Sequence, residues 1–388
     1  MDQGVNLGFI GLKYLVVGSG FFGTVIAERI ANDLGEQVVV IDQRSHFGGN
    51  SFSAPDDATG IDCHIYGSHI FHTKSSHVWE YINRFCSFNS YRHKVLTNHS
   101  GNFYQMPVNL DTINRFFGTA FSPAEARAFV EEEIQRDYFA EPQNLEEKAI
   151  SLVGRRLYEA FIKGYTAKQW QTDPKLLPAD IISRLPFRFS YKIDYFDDPW
   201  QGIPLEGYGA LFKRMLNQPN IDLLLDTDYF AIRSQIPADC KVIFTGPIDR
   251  FFDYRFGILG WRSLRFEKEV LPVSDFQGTT VMNYADEKIP FTRIHEFRHY
   301  HDERQYPGDK TVIYREYSLT GTRDTDPYYP VNTSQDQNTY KQYCHLAGQE
   351  PNVLFGGRLG TYSYLDMDRV ILQALEMYES RIKVGSQM

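Results

Sequence analysis

Gly18, Gly20 and Gly23 stand between an apolar run, residues 14–17, and a helix-compatible stretch, residues 24–34. Glycines at this spacing let backbone N–H groups hold an anion. Gly18 makes the tight turn, Gly20 lets the main chain approach a pyrophosphate, and Gly23 lets helix and strand pack closely, so that the helix N-terminus faces the charge. Residues 37–41 are apolar and β-branched again, and Asp42 follows where a ribose-binding acid falls. Arginines form a second group. Arg184 and Arg188 lie among Pro178, Pro186 and several aromatics, and Arg293 sits in PFTRIHEF, where planar guanidinium groups are suited to clamping a diphosphate. Tyr165 and Trp170 of GYTAKQW lie in a polar segment, where their rings suit stacking on a planar base or sugar, although core packing explains the same residue types equally well.

The elements that must position these groups follow from period and punctuation. Strand, glycine turn, helix and strand over residues 14–42 open a doubly wound unit. Gly48 and Gly49 follow Asp42, with Arg44 between. This resembles the FAD-binding arm of the glutathione-reductase and amine-oxidase type, in which a second glycine pair approaches the same dinucleotide, and it favours FAD over NAD. Residues 60–74 alternate and read as a strand and turn returning to the cofactor. Their histidines, His64, His69 and His72, have no acidic or cysteine partner at a ligand spacing, so no metal site is read; His69, after Gly67 and Ser68, suits contact with a flavin ring.

From residue 75 to 178 the character is helical. Ser122, Pro123 and Glu125 form a start signal that Asn144 and Glu147 repeat, and a helix over 145–163 is expected to bury Leu152, Val153, Leu157 and Phe161 and to end near Gly164. Residues 241–249 resume the strand-then-glycine style, and alternating segments over 261–330 read as an antiparallel sheet. The closing stretch, 353–375, reads as strand, Gly356 and Gly357, a polar loop and a helix from Asp366 or Met367. That helix N-terminus would put positive dipole density at the pyrimidine edge of a reduced flavin, with Arg358 beside it; ordinary capping by Asp366 is the alternative. The expected class is α/β: an FAD-binding Rossmann-like domain (1–74, 202–255, 340–388), an inserted helical domain (75–180, a mobile loop following) and an antiparallel β-sheet domain (181–201, 256–339).

The 388 residues, 42% hydrophobic and 15% aromatic, are enough for two or three domains. A net charge of −9 argues against general affinity for nucleic acid or an anionic membrane. Cys63, Cys86, Cys240 and Cys344 show no CxxC or zinc spacing and read as reduced, small, buried hydrophobes of a cytoplasmic protein. No run of eighteen apolar residues occurs, and no basic, then apolar leader opens the chain, so a soluble, unexported protein is expected.

Longer motifs then carry a specific resemblance. YGSHIFHT (66–73), NLEEKAISLVG (144–154), IKGYTAKQW (162–170), RFSYKIDYF (188–196), FTGPIDRFFDYRFG (244–257), DPYYPVN (326–332) and FGGRLGTYSYLDM (355–367) together resemble the bacterial UDP-galactopyranose mutases, in order along nearly the whole chain. The resemblance implies a flavoenzyme that interconverts UDP-galactopyranose and UDP-galactofuranose by ring contraction, through an adduct between reduced-flavin N5 and galactose, with no net redox change. It implies FAD, active when reduced, with UDP as the transient leaving group, and a homodimer. By motif position, Arg184 is the mobile-loop arginine and Arg293 the fixed one, both on the diphosphate. Phe161 and Tyr165 match uracil-stacking aromatics, and Trp170 matches a pocket tryptophan. Tyr195, Asn283, Tyr329 and Tyr364 match polar groups around phosphates and sugar, Asp366 an acid near the sugar, and His69 the flavin-facing histidine. The implied cofactor set is Gly18, Gly20, Phe22, Gly23, Asp42, Gln43, Arg44, Gly49, Asn50, Gly67, Ser68, His69, Gly246, Arg358, Tyr364, Asp366 and Met367.

Four positions depart from the family pattern: Asp42 for glutamate, Gln171 for glycine, Ser68 for a small alanine and Leu365 for an aromatic. Two other classes compete. An FAD-dependent amine oxidase would leave Arg184 and Arg293 without a task. A nucleotide-sugar-binding protein that has lost turnover would bind UDP whatever the flavin's redox state.

Overall fold

Short β-branched runs buried on both faces form parallel sheets, because crossover helices must cover each side. Such runs make a five-stranded parallel sheet in the order Val353–Phe355, Lys241–Phe244, Tyr14–Val17, Val38–Ile41, Ile221–Leu224. The computed structural model describes residues 9, 11–184, 187–306 and 308–384, with the side chains of Asp180, Ser183 and Arg184 outside that description. Phe21–Arg29, Tyr208–Leu216 and Met367–Met377 are helices packed on one sheet face, where Val16, Val25, Val40, Leu211, Ile371 and Leu375 share a core. Leu15, Ile41, Val242, Phe244 and Phe251 form the core of the other face. Each such side chain contributes about 1.5–3 kcal/mol by burial. Three segments far apart in sequence thereby build one Rossmann-like unit.

The second sheet has seven strands: Tyr329–Pro330, Trp261–Leu271, Thr311–Thr320, Arg293–Glu296, Val281–Tyr284, Val95–His99, Asn102–Met106. All its pairings are antiparallel except Val281–Tyr284 with Val95–His99. The last two strands lie inside the stretch read as helical. Their turn, Ser100 and Gly101, has both φ values positive (51° and 77°), the geometry that matches strand twist in a two-residue hairpin.

The helical layer starts as expected. Ser122 and Glu125 form a complete capping box for Pro123–Gln135, and Asn144 accepts from the Glu147 N–H at the head of Leu145–Val153. The expected single helix over 145–163 needs correction. It breaks at Gly154 (φ 79°), where a Cβ would lie 2.9 Å from Glu133 Cβ. It then resumes as Arg155–Leu157, widens into a π-type turn over Tyr158–Lys163, and runs on as Gly164–Trp170. Gly164 is thus not a cap but a contact point: a Cβ there would sit 2.3 Å from the Ala285 carbonyl. GYTAKQW is a helix, not a segment following one, and Leu152 is exposed. Cys63, Cys86 and Cys240 are buried, but Cys344 is exposed on Ser334–Ala347, a helix whose only buried residue among those described is Tyr343.

Candidate active site

The glycine turn forms the wall of a cavity of about 490 Å³. Gly20 carries no side-chain cap, and the first turn of Phe21–Arg29 holds no acid, so this helix start presents N–H groups to an anion. Crowding fixes the glycines. A Cβ on Gly23 would lie 1.9 Å from the Gly18 carbonyl, and one on Gly49 would lie 3.2 Å from Gly20 Cα. The two glycine turns therefore touch, tied by the Gly48 N–H donating to the Ser19 carbonyl at 2.9 Å. A side chain at either turn would fill the groove that a dinucleotide's phosphates need. The cradle has the space and the N–H donors that a dinucleotide's pyrophosphate needs.

Asp42 ends its strand at the cavity, but its carboxylate already accepts from Ser19 N–H (2.8 Å), Ser19 Oγ (2.6 Å) and Arg44 N–H (3.0 Å). The shorter acid thus braces both turns first, with its remaining lone pairs for a ribose. Arg44 stacks over Tyr66, pairs with Asp326 at 3.0 Å and donates to Asn50 at 2.9 Å. Phe22, Gln43, Asn50, His69, Gly246, Arg358 and Met367 all line this cavity. So do groups the sequence reading missed, including Thr227, Tyr229, Phe230, Arg250 and the strap 321–327 from the second sheet.

His69 presents a defined tautomer. Burial pulls it down to about 4, partly opposed by the Gly67 carbonyl. A carbonyl only accepts, so Nδ1 holds the proton it shares with Gly67 at 2.7 Å and Nε2 is a bare acceptor. Asp366 is the N-cap of Met367–Met377, yet among the described residues its side chain makes no capping hydrogen bond. Simple capping therefore does not account for it. Arg358 donates to the carbonyls of Tyr328 (3.0 Å) and Leu365 (2.6 Å), stapling two loops beneath Tyr364, and Tyr364 stacks on Tyr329.

The second sheet contributes one rung. Cross-strand register places Phe266, Glu316, Arg293, Asn283 and Thr97 side by side on five adjacent strands, hence on one face. Glu316 is buried, and although burial opposes its charge, Arg293, His295 and Thr292 hold it at about 2. Arg293 Nε lies 3.2 Å from Glu316 Oε1 without hydrogen-bond alignment, and its guanidinium contacts the Tyr165 hydroxyl. Burial works against Arg293's charge, but Glu316 and the tyrosines hold its pKa above the usual arginine value. Among the described residues, Arg293 Nε and Asn283 Oδ1 are buried polar atoms with no hydrogen-bond partner. The Arg293 Nε–H is a donor that an anion would complete, and Asn283 Oδ1 is an acceptor that a hydroxyl of the same ligand would complete.

Lys168 sets the distance between this rung and the aromatic helix. Its Nζ donates to the carbonyls of Tyr284 (2.7 Å), Asp286 (2.8 Å) and Phe291 (3.1 Å), which pins Gly164–Trp170 to the loop joining two strands of the rung. Burial brings it down to about 8, while Asp286 and Glu287 pull the other way. Gln171 closes the helix in the left-handed region (φ 51°) and its amide donates to the Lys168 carbonyl at 2.8 Å, a side-chain cap that glycine would lack.

Tyr165, Tyr195 and Tyr329 all interact electrostatically with Arg293, and Tyr195 also with Asp366, so the structure gathers these residues around Arg293. Phe161 is buried among the rings of His99, Tyr104 and Phe116, beneath the helix rather than open to the site. Trp170 packs against the helical core. Gly67 and Ser68 sit against the sheet face, a Cβ on Gly67 falling 3.0 Å from Phe266. Arg188 is not part of the site: it donates to the Asp194 carbonyl at 2.5 Å and pairs with Asp197 at 3.2 Å. The side chain of Arg184 lies outside the described residues. Glu316 was legible as a carboxylate in the inward phase of an alternating strand, with Tyr314 and Ser318 two residues either side.

The UDP-galactopyranose mutase family profile matches residues 160–364, the stretch that holds four of the rung's five residues and the aromatic helix. The chain belongs to that family. A probable UDP-galactopyranose mutase of Klebsiella pneumoniae is 41% identical over 362 residues, covering 93% of this chain and 92% of its own. A dTDP-fucopyranose mutase of Escherichia coli is 40% identical over 375 residues, covering 96% and 98%. A crystal structure of reduced UDP-galactopyranose mutase shares the fold, with a TM-score of 0.74 at 15% identity over 97% of this chain and 94% of that one. Residues 16–85 match an NAD(P)-binding Rossmann-like domain. The chain is thus an enzyme of the UDP-galactopyranose mutase family with a Rossmann-like nucleotide site. Among the described residues no helix is long and apolar enough to cross a membrane.

Proposed function

We propose that this mutase interconverts UDP-galactopyranose and UDP-galactofuranose with FAD in its reduced form and no net redox change. The observation that carries this reading is the rung: Arg293, backed by buried Glu316, has an unaligned Nε–H beside an orphaned Asn283 acceptor. When bound, reduced FAD would supply a nitrogen nucleophile that takes the sugar from the diphosphate and gives it back. The chain's residues do the rest. Arg293, with Arg184, stabilises the charge that grows on the departing diphosphate. Tyr165 holds the uracil with Phe161 packed behind it, Trp170 belongs to the substrate pocket, and Tyr195, Asn283, Tyr329 and Tyr364 fill polar positions around phosphates and sugar. His69 offers a lone pair from the flavin-facing loop, and Asp366 a carboxylate near the sugar. Gly18, Gly20, Gly23, Gly48 and Gly49 give the pyrophosphate its space. A homodimer in the cytoplasm, and the division into the three domains given above, belong to the same proposal.

The 40% identity to a dTDP-fucopyranose mutase supports a second reading, dTDP-linked fucopyranose as the sugar nucleotide. One experiment separates these and the oxidase reading. Holoenzyme is incubated with each sugar nucleotide with and without dithionite, products are resolved by chromatography, and a parallel aerobic sample with an amine is followed by oxygen uptake. Conversion of UDP-galactofuranose only after reduction is expected; conversion of the dTDP sugar alone overturns the substrate, and oxygen uptake with an amine overturns the class.

A further inference from the structure

An ion pair followed by hydrogen bonds joins the diphosphate-facing arginine to the flavin-facing loop, and the roles above leave the middle of this chain unused. Glu316 Oε1 lies 3.2 Å from Arg293 Nε and accepts from Thr292 Oγ1 at 3.0 Å, while Oε2 lies 3.0 Å from His295 Nε2. An ionised carboxylate only accepts, so His295 Nε2 carries a proton. The ring is fully buried, and burial disfavours a second proton, which leaves Nδ1 bare. Ser68 Oγ, 2.5 Å from that nitrogen, is therefore the donor. Ser68 lies between Gly67 and His69, and it is one of the positions where this chain departs from its family's pattern. The loop has further polar anchors: the Gly67 N–H donates to the His64 carbonyl at 3.2 Å, the His69 N–H donates to His64 Nδ1 at 3.0 Å, and Ser68 also interacts with the Tyr300 hydroxyl.

We propose that His295 is a positioning residue, which with Glu316 and Ser68 couples occupancy at Arg293 to the placement of the Gly67–His69 loop at the cofactor. The coupling is electrostatic. An anion on Arg293 shares the guanidinium that Glu316 now holds, so the carboxylate leans more on the His295 Nε2–H. That polarises the imidazole and makes Nδ1 a better acceptor for Ser68, because hydrogen bonds in series strengthen one another in a low-dielectric interior. The loop is then held more firmly when the site is filled. This inference rests on the reading of Arg293 as a diphosphate ligand.

The test uses holoenzyme with UDP as the probe. Amide hydrogen exchange is followed over residues 65–71, with UDP affinity measured in parallel by calorimetry. In the wild type UDP is expected to slow exchange in this loop by about threefold or more. Ser68→Ala is expected to abolish that slowing, while UDP affinity falls by no more than the same factor by which UDP slows exchange in the wild type. His295→Leu loses the slowing too, and His295→Gln, which keeps a donor and an acceptor on one side chain, restores part of it. Slowing that persists in Ser68→Ala, or that is missing in the wild type, overturns the coupling. The underlying reading fails separately: Arg293→Ala binding UDP as tightly as the wild type would remove the diphosphate role itself.

Discussion

Acidification tests the buried histidines directly. His64 and His93 are buried, and burial pulls each down to about 3. For His64 the bonding gives an independent reason. Its Nδ1 accepts the His69 N–H, so the ring's proton sits on Nε2, and a second proton would face donor against donor. A histidine whose folded pKa is depressed contributes stability above its unfolded value of about 6.5, and loses it as pH falls from there toward the folded value. Integrating that linkage from pH 8 to pH 5 gives about 2 kcal/mol per histidine, about 4 kcal/mol for the pair. Against a typical total of about 5–15 kcal/mol this is a large fraction. Equilibrium urea unfolding of the holoenzyme at the two pH values measures it. His93→Phe, which keeps a ring against Phe196, should shrink the difference by about 2 kcal/mol, the share of one histidine. Equal unfolding free energies at pH 8 and pH 5, or an unchanged difference in His93→Phe, would refute the reasoning.

Three further outcomes follow from the site. Arg293→Ala should keep its flavin but lose about 3 kcal/mol of transition-state stabilisation, roughly a hundredfold in kcat/KM, read by product chromatography under reducing conditions. Lys168→Met leaves three carbonyls without their shared donor and frees the aromatic helix from the rung; UDP affinity should fall about tenfold by calorimetry, with flavin content unchanged. Gly23→Ala drives a methyl to 1.9 Å from the Gly18 carbonyl, so the purified variant should lack the flavin absorbance of the wild type.

Where sequence reasoning failed, the competing physics is specific. Gly164 carried a cap signal, but its missing Cβ serves close approach to Ala285, a partner 121 positions away that no local pattern reveals. Ser100–Gly101 was a hairpin signal between two alternating runs, overshadowed by the helical signals that follow. Cys344 shows that a residue type common in cores says nothing about which helix face it occupies.

The glycine spacing, the acid at Asp42, the second glycine pair and the family motifs were set by local order along the chain, because turns, caps and strand periods depend on near neighbours. They determined the Rossmann start, the dinucleotide reading and the family. The rung was decided only by the fold. Phe266, Glu316, Arg293, Asn283 and Thr97 come from five strands, and a slip of one residue in any pairing would send that side chain to the opposite face. Register is fixed by what the whole sheet buries. For that reason the inward phase of Glu316 was legible along its strand, but its pairing with Arg293 and the link through His295 to Ser68 could be found only in three dimensions.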